Sequence, residues 1–140
     1  MQIRKVDIRK TENTEKLYAL QKYCLPYDKP FDTQNGYWWI AHNPYGIEVG
    51  FAGLVSSIRW SDCGYLCRAG VIPAARGQGL QKKLIKVRIR QAKALGWNWL
   101  VTDTYNNPAS SNSLISCGFK LFEPTNPWGA KGTLYWRRKL

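Results

Sequence analysis

A β-type run, Tyr65 to Ile72, stops at Pro73 and passes through Arg76-Gly77-Gln78-Gly79 into a long segment of helical period. From Gly77 to Leu95 the apolar stripe expected to face inward is Leu80, Leu84, Val87, Gln91 and Leu95, while Lys82, Lys83, Lys86, Arg90 and Lys93 take the other side. Gly96 follows as the expected C′ glycine. A strand, a glycine turn and a helix in that order hold an anion by a simple rule. Glycines let the backbone come close, consecutive N–H groups are left without partners, and the helix dipole favours negative charge at that end.

Other glycine loops fail on spacing. A Walker A loop needs four residues between its glycines and a Lys-Ser or Lys-Thr after the last, whereas Gly79 is followed by Leu80-Gln81-Lys82-Lys83. The dinucleotide fingerprint needs a third glycine where Lys82 stands.

The surrounding pattern gives the fold class. Gln2 to Arg9 alternates as a first strand, and Thr11 is the expected N-cap of a helix with Glu12 and Glu15 in its first turn and Leu17, Leu20 and Cys24 on one face. Tyr37 to His42 and Ile47 to Ser57, separated by Asn43-Pro44-Tyr45-Gly46, read as a hairpin. Trp97 to Thr104 is a further strand. Asn107-Pro108 caps a short helix ending at Gly118. Phe119 to Phe122 and Thr133 to Lys139 are the last strands. The order β-α-β-β-β-α-β-α-β-β describes an α/β fold with one mixed, mostly antiparallel sheet of about seven strands flanked by helices, in a single domain over residues 1–140.

With 44% hydrophobic and 21% charged residues the chain is too apolar for disorder. Met1 to Lys10 alternates charged and apolar residues, so no secretory leader is expected, and no apolar run is long enough for a bilayer. Cys24, Cys63, Cys67 and Cys117 are scattered and accompanied by the single histidine His42, which argues for reduced thiols in a cytoplasmic setting and against a metal site. A net charge of +12 draws polyanions without naming one. A nucleic-acid-binding reading, with the α-helical lysines and Arg137-Arg138-Lys139 on phosphates, is possible but not favoured, because a solvated helix face explains the same lysines.

The segment Val71-Ile72-Pro73-Ala74-Ala75-Arg76-Gly77-Gln78-Gly79-Leu80 resembles the cofactor motif of the GNAT superfamily of acyl-CoA-dependent N-acyltransferases. Asn107-Pro108-Ala109-Ser110 with Gly118-Phe119, and Glu48 to Leu54, are similar to further family segments, and the element order agrees along nearly the whole chain. The resemblance implies acetyl-CoA as co-substrate and transfer to an amine of a small molecule or protein, by a monomer or homodimer. It implies that Val71 pairs with the pantetheine arm, that Arg76, Gly77, Gln78, Gly79 and Gln81 surround the pyrophosphate, and that Asn107 and Ser110 lie along the cofactor.

Two departures stand out. Gln81 occupies a position where the family prefers glycine or alanine, and Leu114 stands where its usual acid, a tyrosine, would be. No carboxylate lies between Cys63 and Arg76, so the candidates for proton transfer are Asp103, His42, Asp62 and Glu48 on the base side, and Tyr105, Ser113 and Cys117 on the acid side. Such gaps also leave open a CoA-binding protein without the chemistry. The loop aromatics Tyr27, Phe31, Tyr37, Trp38 and Trp128 are candidates to line an acceptor site.

Overall fold

The sheet in the computed structural model, which describes residues 1–140, has seven strands in the order β1-β2-β3-β4-β5-β7-β6. These are β1 Gln2–Val6, β2 Tyr37–His42, β3 Glu48–Ser56, β4 Cys63–Val71, β5 Trp99–Thr104, β6 Lys120–Phe122 and β7 Leu134–Lys139. The helices are α1 Thr11–Cys24, α2 Leu80–Ala94 and α3 Pro108–Ser116, and a single 3₁₀ turn spans Pro73–Ala75. Every neighbouring pair is antiparallel except β4 and β5. The α/β architecture and the mixed, mostly antiparallel sheet are those expected from the sequence.

Alternation along the strands assigns the two faces. On β2 and β3, Trp38, Ile40 and Phe51 pack with Leu17 and Leu20 of α1. The intervening Trp39 and Leu54 instead join Ile85, Ile89, Leu114 and Trp136 in the larger core under α2 and α3. Successive side chains of a strand point to opposite faces, so α1 covers one side and α2 with α3 the other. No helix is long and apolar enough to cross a membrane.

Local chemistry explains the element ends. The turn of the β2–β3 hairpin is closed by Asn43 Oδ1, which accepts the N–H groups of Tyr45 and Ile47, with Gly46 at φ +81°. Both α2 and α3 end in the same left-handed glycine motif. In α2 the Gly96 N–H donates to Lys93 O and the Trp97 N–H to Ala92 O; in α3 Gly118 and Phe119 do the same to Ile115 and Leu114. Asn107 caps α3 by accepting the Ser110 N–H at 3.1 Å.

Two details differ from expectation. The first helix is capped at Lys10, not Thr11, and no side chain caps it. Asp7 sets its entry instead, its carboxylate accepting the Arg9 N–H and its carbonyl the Asn13 side-chain amide, which also cuts β1 short at Val6. The buried face of α2 is turned by one residue from the expected stripe: Leu80, Leu84, Ile85, Arg88, Ile89 and Ala92 are inside, while Val87, Gln91 and Leu95 are only half-buried. An inward arginine is invisible to a hydrophobic pattern. The five remaining basic residues of the helix, Lys82, Lys83, Lys86, Arg90 and Lys93, are exposed as expected.

Candidate functional site

The site begins where β4 and β5 part. They pair only from Cys63 opposite Trp99 to Tyr65 opposite Val101. Beyond that, a side chain replaces the ladder, Thr102 Oγ1 donating to Leu66 O at 2.9 Å. On its other edge β4 carries a bulge: Leu66 faces Leu54 and Ala69 faces Ala52, so β4 has one residue more than β3 across Cys67 and Arg68. After the bulge Gly50 lies opposite Val71, and the Ile72 N–H donates to Val49 O. Antiparallel ladders alternate, so the N–H and C=O groups of Ala69 and Val71 point away from β3, into the fork that β5 has vacated.

The glycine turn closes the far end of this fork. Gly77 and Gly79 have φ of +78° and +75°, and a Cβ built on either would meet nothing within 4 Å. The N–H groups of Gly77, Gln78 and Gly79 donate to no backbone carbonyl. Those of Leu80, Gln81 and Lys82 occupy the first turn of α2, where no intrahelical carbonyl exists for them. Arg76 folds back over the strand end, its Nε donating to Val71 O at 3.2 Å. A cleft of about 590 Å³ results, with Val71, Arg76, Gly77, Gly79, Gln81 and Ser113 among its walls. Asn107 and Ser110 border it through the N-terminus of α3, where capping occupies Asn107 Oδ1 and leaves the side-chain NH₂ available. Gln78 is exposed on the turn and is not part of the wall. The half-buried Cys24 also lines the cleft.

A second cavity of about 460 Å³ adjoins the first and shares Leu25, Ala69, Gln81, Asn107 and Ser110 with it. Gln81 therefore stands at the junction of the two spaces. Asp103 faces the second cavity and is held from two sides: Tyr65 Oη donates to its Oδ2 at 2.7 Å and Trp128 Nε1 to the same oxygen at 2.9 Å. Burial, and then the neighbouring Asp103 charge, push the Tyr65 phenol far above its usual value, so it stays a protonated donor. Oδ1 makes no bond within the protein. Tyr105 lines the same cavity and is 63% exposed.

Not every sequence candidate is brought here. His42 lies two strands away on β2, its Nδ1 buried without a partner, and it lines neither cavity. Asp62 sits beyond the opposite end of β4, its carbonyl accepting the N–H groups of Asn98 and Trp99. Glu48 pairs with Lys16 at 3.6 Å. Cys117 is buried under α3, and all four cysteines are free thiols. Among the loop aromatics Phe31 and Trp128 line the second cavity, Trp38 is fully buried, Tyr37 is half-buried on β2, and Tyr27 is fully exposed. No three His, Cys, Asp or Glu side chains converge as a metal site. Sequence reasoning missed Tyr65, Arg68 and Arg88, since only long-range pairing brings them to this cavity.

The sequence profile of the acetyltransferase (GNAT) family matches residues 5–119. The chain belongs to that family. Solved GNAT structures superpose along its whole length. The IAA acetyltransferase of Bacillus cereus aligns at a TM-score of 0.76 and 18% identity, covering 99% of both chains. A Bacillus subtilis acetyltransferase in complex with CoA aligns at 0.76 and 18%, covering 99% of this chain and 98% of its own. The yncA protein of Salmonella typhimurium, with its cofactor acetyl-CoA, aligns at 0.74 and 18%, covering 99% and 93%. Sequence comparison with curated proteins gives no match. As a GNAT domain, the chain offers residues that fit an acyl-CoA: open space over Gly77 and Gly79, partnerless N–H groups beneath it, and a strand edge turned into the fork.

Proposed function

We propose that this GNAT domain is an N-acetyltransferase that moves the acetyl group of acetyl-CoA to a primary amine presented in the Asp103 cavity. The observation that carries the reading is the shared wall of the two cavities at the β4–β5 fork, where a ligand along β4 and a ligand beside Asp103 would meet. The co-substrate supplies an activated acyl group as a thioester. The turn from Gly77 to Gln81 binds its pyrophosphate through backbone N–H groups, each charge-assisted bond being worth about 1.5–3 kcal/mol. The Arg76 N–H instead closes the 3₁₀ turn on Pro73 O and leaves only its side chain for the ligand. Val71 and Ala69 receive the pantetheine arm as an added strand. Asn107 and Ser110 flank it at the start of α3.

Asp103 is the proton acceptor. Tyr65 and Trp128 fix Oδ2, so Oδ1 is the oxygen left for the incoming ammonium. For an alkylamine of ordinary pKa, proton removal at neutral pH costs about 4.6 kcal/mol. Alignment of amine and acyl carbon supplies roughly 7–11 kcal/mol, so positioning dominates and one carboxylate suffices as base. The Val71 N–H, turned into the fork, is the donor for the negative charge that builds on the carbonyl oxygen. Ser113 lines the cofactor cleft immediately before Leu114 and is the nearest hydroxyl in sequence to the family's acid position.

Following thiol release from acetyl-CoA across a panel of primary amines, with mass detection of the N-acetyl product, tests the reading. Release with at least one amine supports it. Tight acetyl-CoA binding with no release from any amine would replace it with a CoA-binding protein that lacks the chemistry.

A further inference from the structure

The second cavity contains more positive charge than acceptance of an ammonium requires. Arg68, on the β4 bulge, has its Nε buried with no hydrogen-bond partner. Its outer nitrogens are only loosely held, Nη1 at 3.5 Å from Asp28 Oδ2 and Nη2 at 3.2 Å from Lys29 O, both in the loop after α1. Arg88 reaches the bulge from the α2 side and is 3% exposed. Its Nε and Nη1 donate to Leu84 O and Gly53 O, while Nη2 makes no bond within the protein yet is not sealed in. No carboxylate pairs with Arg88: the ion pairs of the chain are Asp7–Arg9, Lys16–Glu48 and Asp28–Arg68. A buried cation without a counterion is costly, and burial holds Arg88 down to about 10. Burial pushes the neighbouring Cys67 thiol up to about 11, and the charges of Arg88 and Arg68 offset this only in part.

We propose that the acceptor is a small amino acid, whose amine goes to Asp103 and whose carboxylate is held by Arg68, with Arg88 adding its charge from below. This rests on the acetyltransfer reading above and deepens it. The planar two-oxygen carboxylate matches the fork of donors on a guanidinium, and a loosely bound Asp28 marks the place where a second carboxylate can enter. A dianionic group fits less well, because Asp28 and Asp103 face the same space. The cavity, at about 460 Å³, has the size of a small-molecule site.

The test pairs each free amino acid of a panel with its carboxamide and follows thiol release from acetyl-CoA. The carboxamide keeps the amine and side chain, removes the carboxylate charge and makes the amine less basic, so that more of it is neutral. At least one acid should exceed its amide in kcat/KM by about 10-fold or more. In Arg68→Gln the excess should collapse through a raised KM for the acid, and Arg68→Lys should restore part of it. Melting and acetyl-CoA titration of each variant establish that it is folded with its cofactor site intact. Amides turned over as well as acids, or Arg68→Gln lowering both alike, would overturn the inference while leaving acetyltransfer standing. No thiol from any acid, amide or simple amine, in protein that binds acetyl-CoA, would instead overturn the acetyltransfer reading and this inference with it.

Discussion

Tyr65 and Asp103 stand 38 positions apart in the chain and share a 2.7 Å hydrogen bond across the base of the β4–β5 fork, one at the last paired position of β4 and the other just past the end of the parallel ladder. The bond orients a carboxylate that has a second donor, Trp128, on the same oxygen.

Replacing the carboxylate without changing its shape tests the proton-accepting role proposed for it. Asp103→Asn keeps an oxygen for Tyr65 but is no base, so kcat/KM for amine acetylation should fall by about 10²-fold or more. Acetyl-CoA affinity measured by calorimetry should be unchanged. Equal activity in the variant would remove Asp103 from the chemistry.

The glycine turn makes a separate prediction about cofactor binding. Gly79 has φ +75° and open space above it, so an aspartate there fits sterically in the ligand-free protein, at a backbone cost of about 1 kcal/mol. Its side chain and charge would then occupy the space that the proposed function gives to the pyrophosphate. If the proposed site holds acetyl-CoA, the cofactor at a hundred times its Kd should stabilise the wild type by about 2.7 kcal/mol. Gly79→Asp should melt nearly as the wild type does alone and show no shift with acetyl-CoA; a preserved shift would misplace the pyrophosphate.

What the sequence made legible was local. The turn could be read because glycine spacing, a preceding strand and a following helix are all contiguous, and the hairpin, both glycine helix ends and the Asn107 cap follow from residues within a few positions of each other. The cavity was not legible in the same way. Tyr65 and Arg68 are ordinary strand residues until β5 and the loop after α1 are laid beside them, and Arg88 is a charged residue that a hydrophobic pattern does not count toward the buried face. His42 is a candidate base by residue type alone, whereas its place two strands from the fork depends on the order of strands across the sheet, which pairing between distant segments sets.

A buried polar chain ties α3 to the sheet at the wall of the second cavity, which Thr104 also lines, and allows a test of stability separate from activity. Trp136 Nε1 donates to Thr104 Oγ1 at 2.9 Å, and Thr104 Oγ1 lies 3.1 Å from Ser111 Oγ. Thr104→Val keeps the shape and leaves the buried indole N–H unsatisfied. Denaturant unfolding should show a loss of about 1–3 kcal/mol. A neutral result would mean that Trp136 finds another acceptor.

The last prediction concerns pH and uses Cys63, which begins β4 at the end far from the fork and is 2% exposed. Burial pushes its thiol up to about 11 from the usual value near 9, with a hydrogen bond from Ser57 pulling the other way. Between those two values the unfolded chain has lost the proton and the folded protein still holds it. The unfolded state therefore binds fewer protons, and stability must fall as pH rises. The contribution is fully present below pH 9, is lost as pH climbs toward 11, and changes the folded-to-unfolded ratio by up to about 10-fold per pH unit in that window. Lysines and tyrosines titrate there too, so the comparison is with Cys63→Ala, in which they are unchanged. The variant loses packing at every pH, but the stability gap between wild type and variant should narrow from pH 9 to 11. A gap independent of pH would mean that the Cys63 thiol ionises in the folded protein as it does in the unfolded chain.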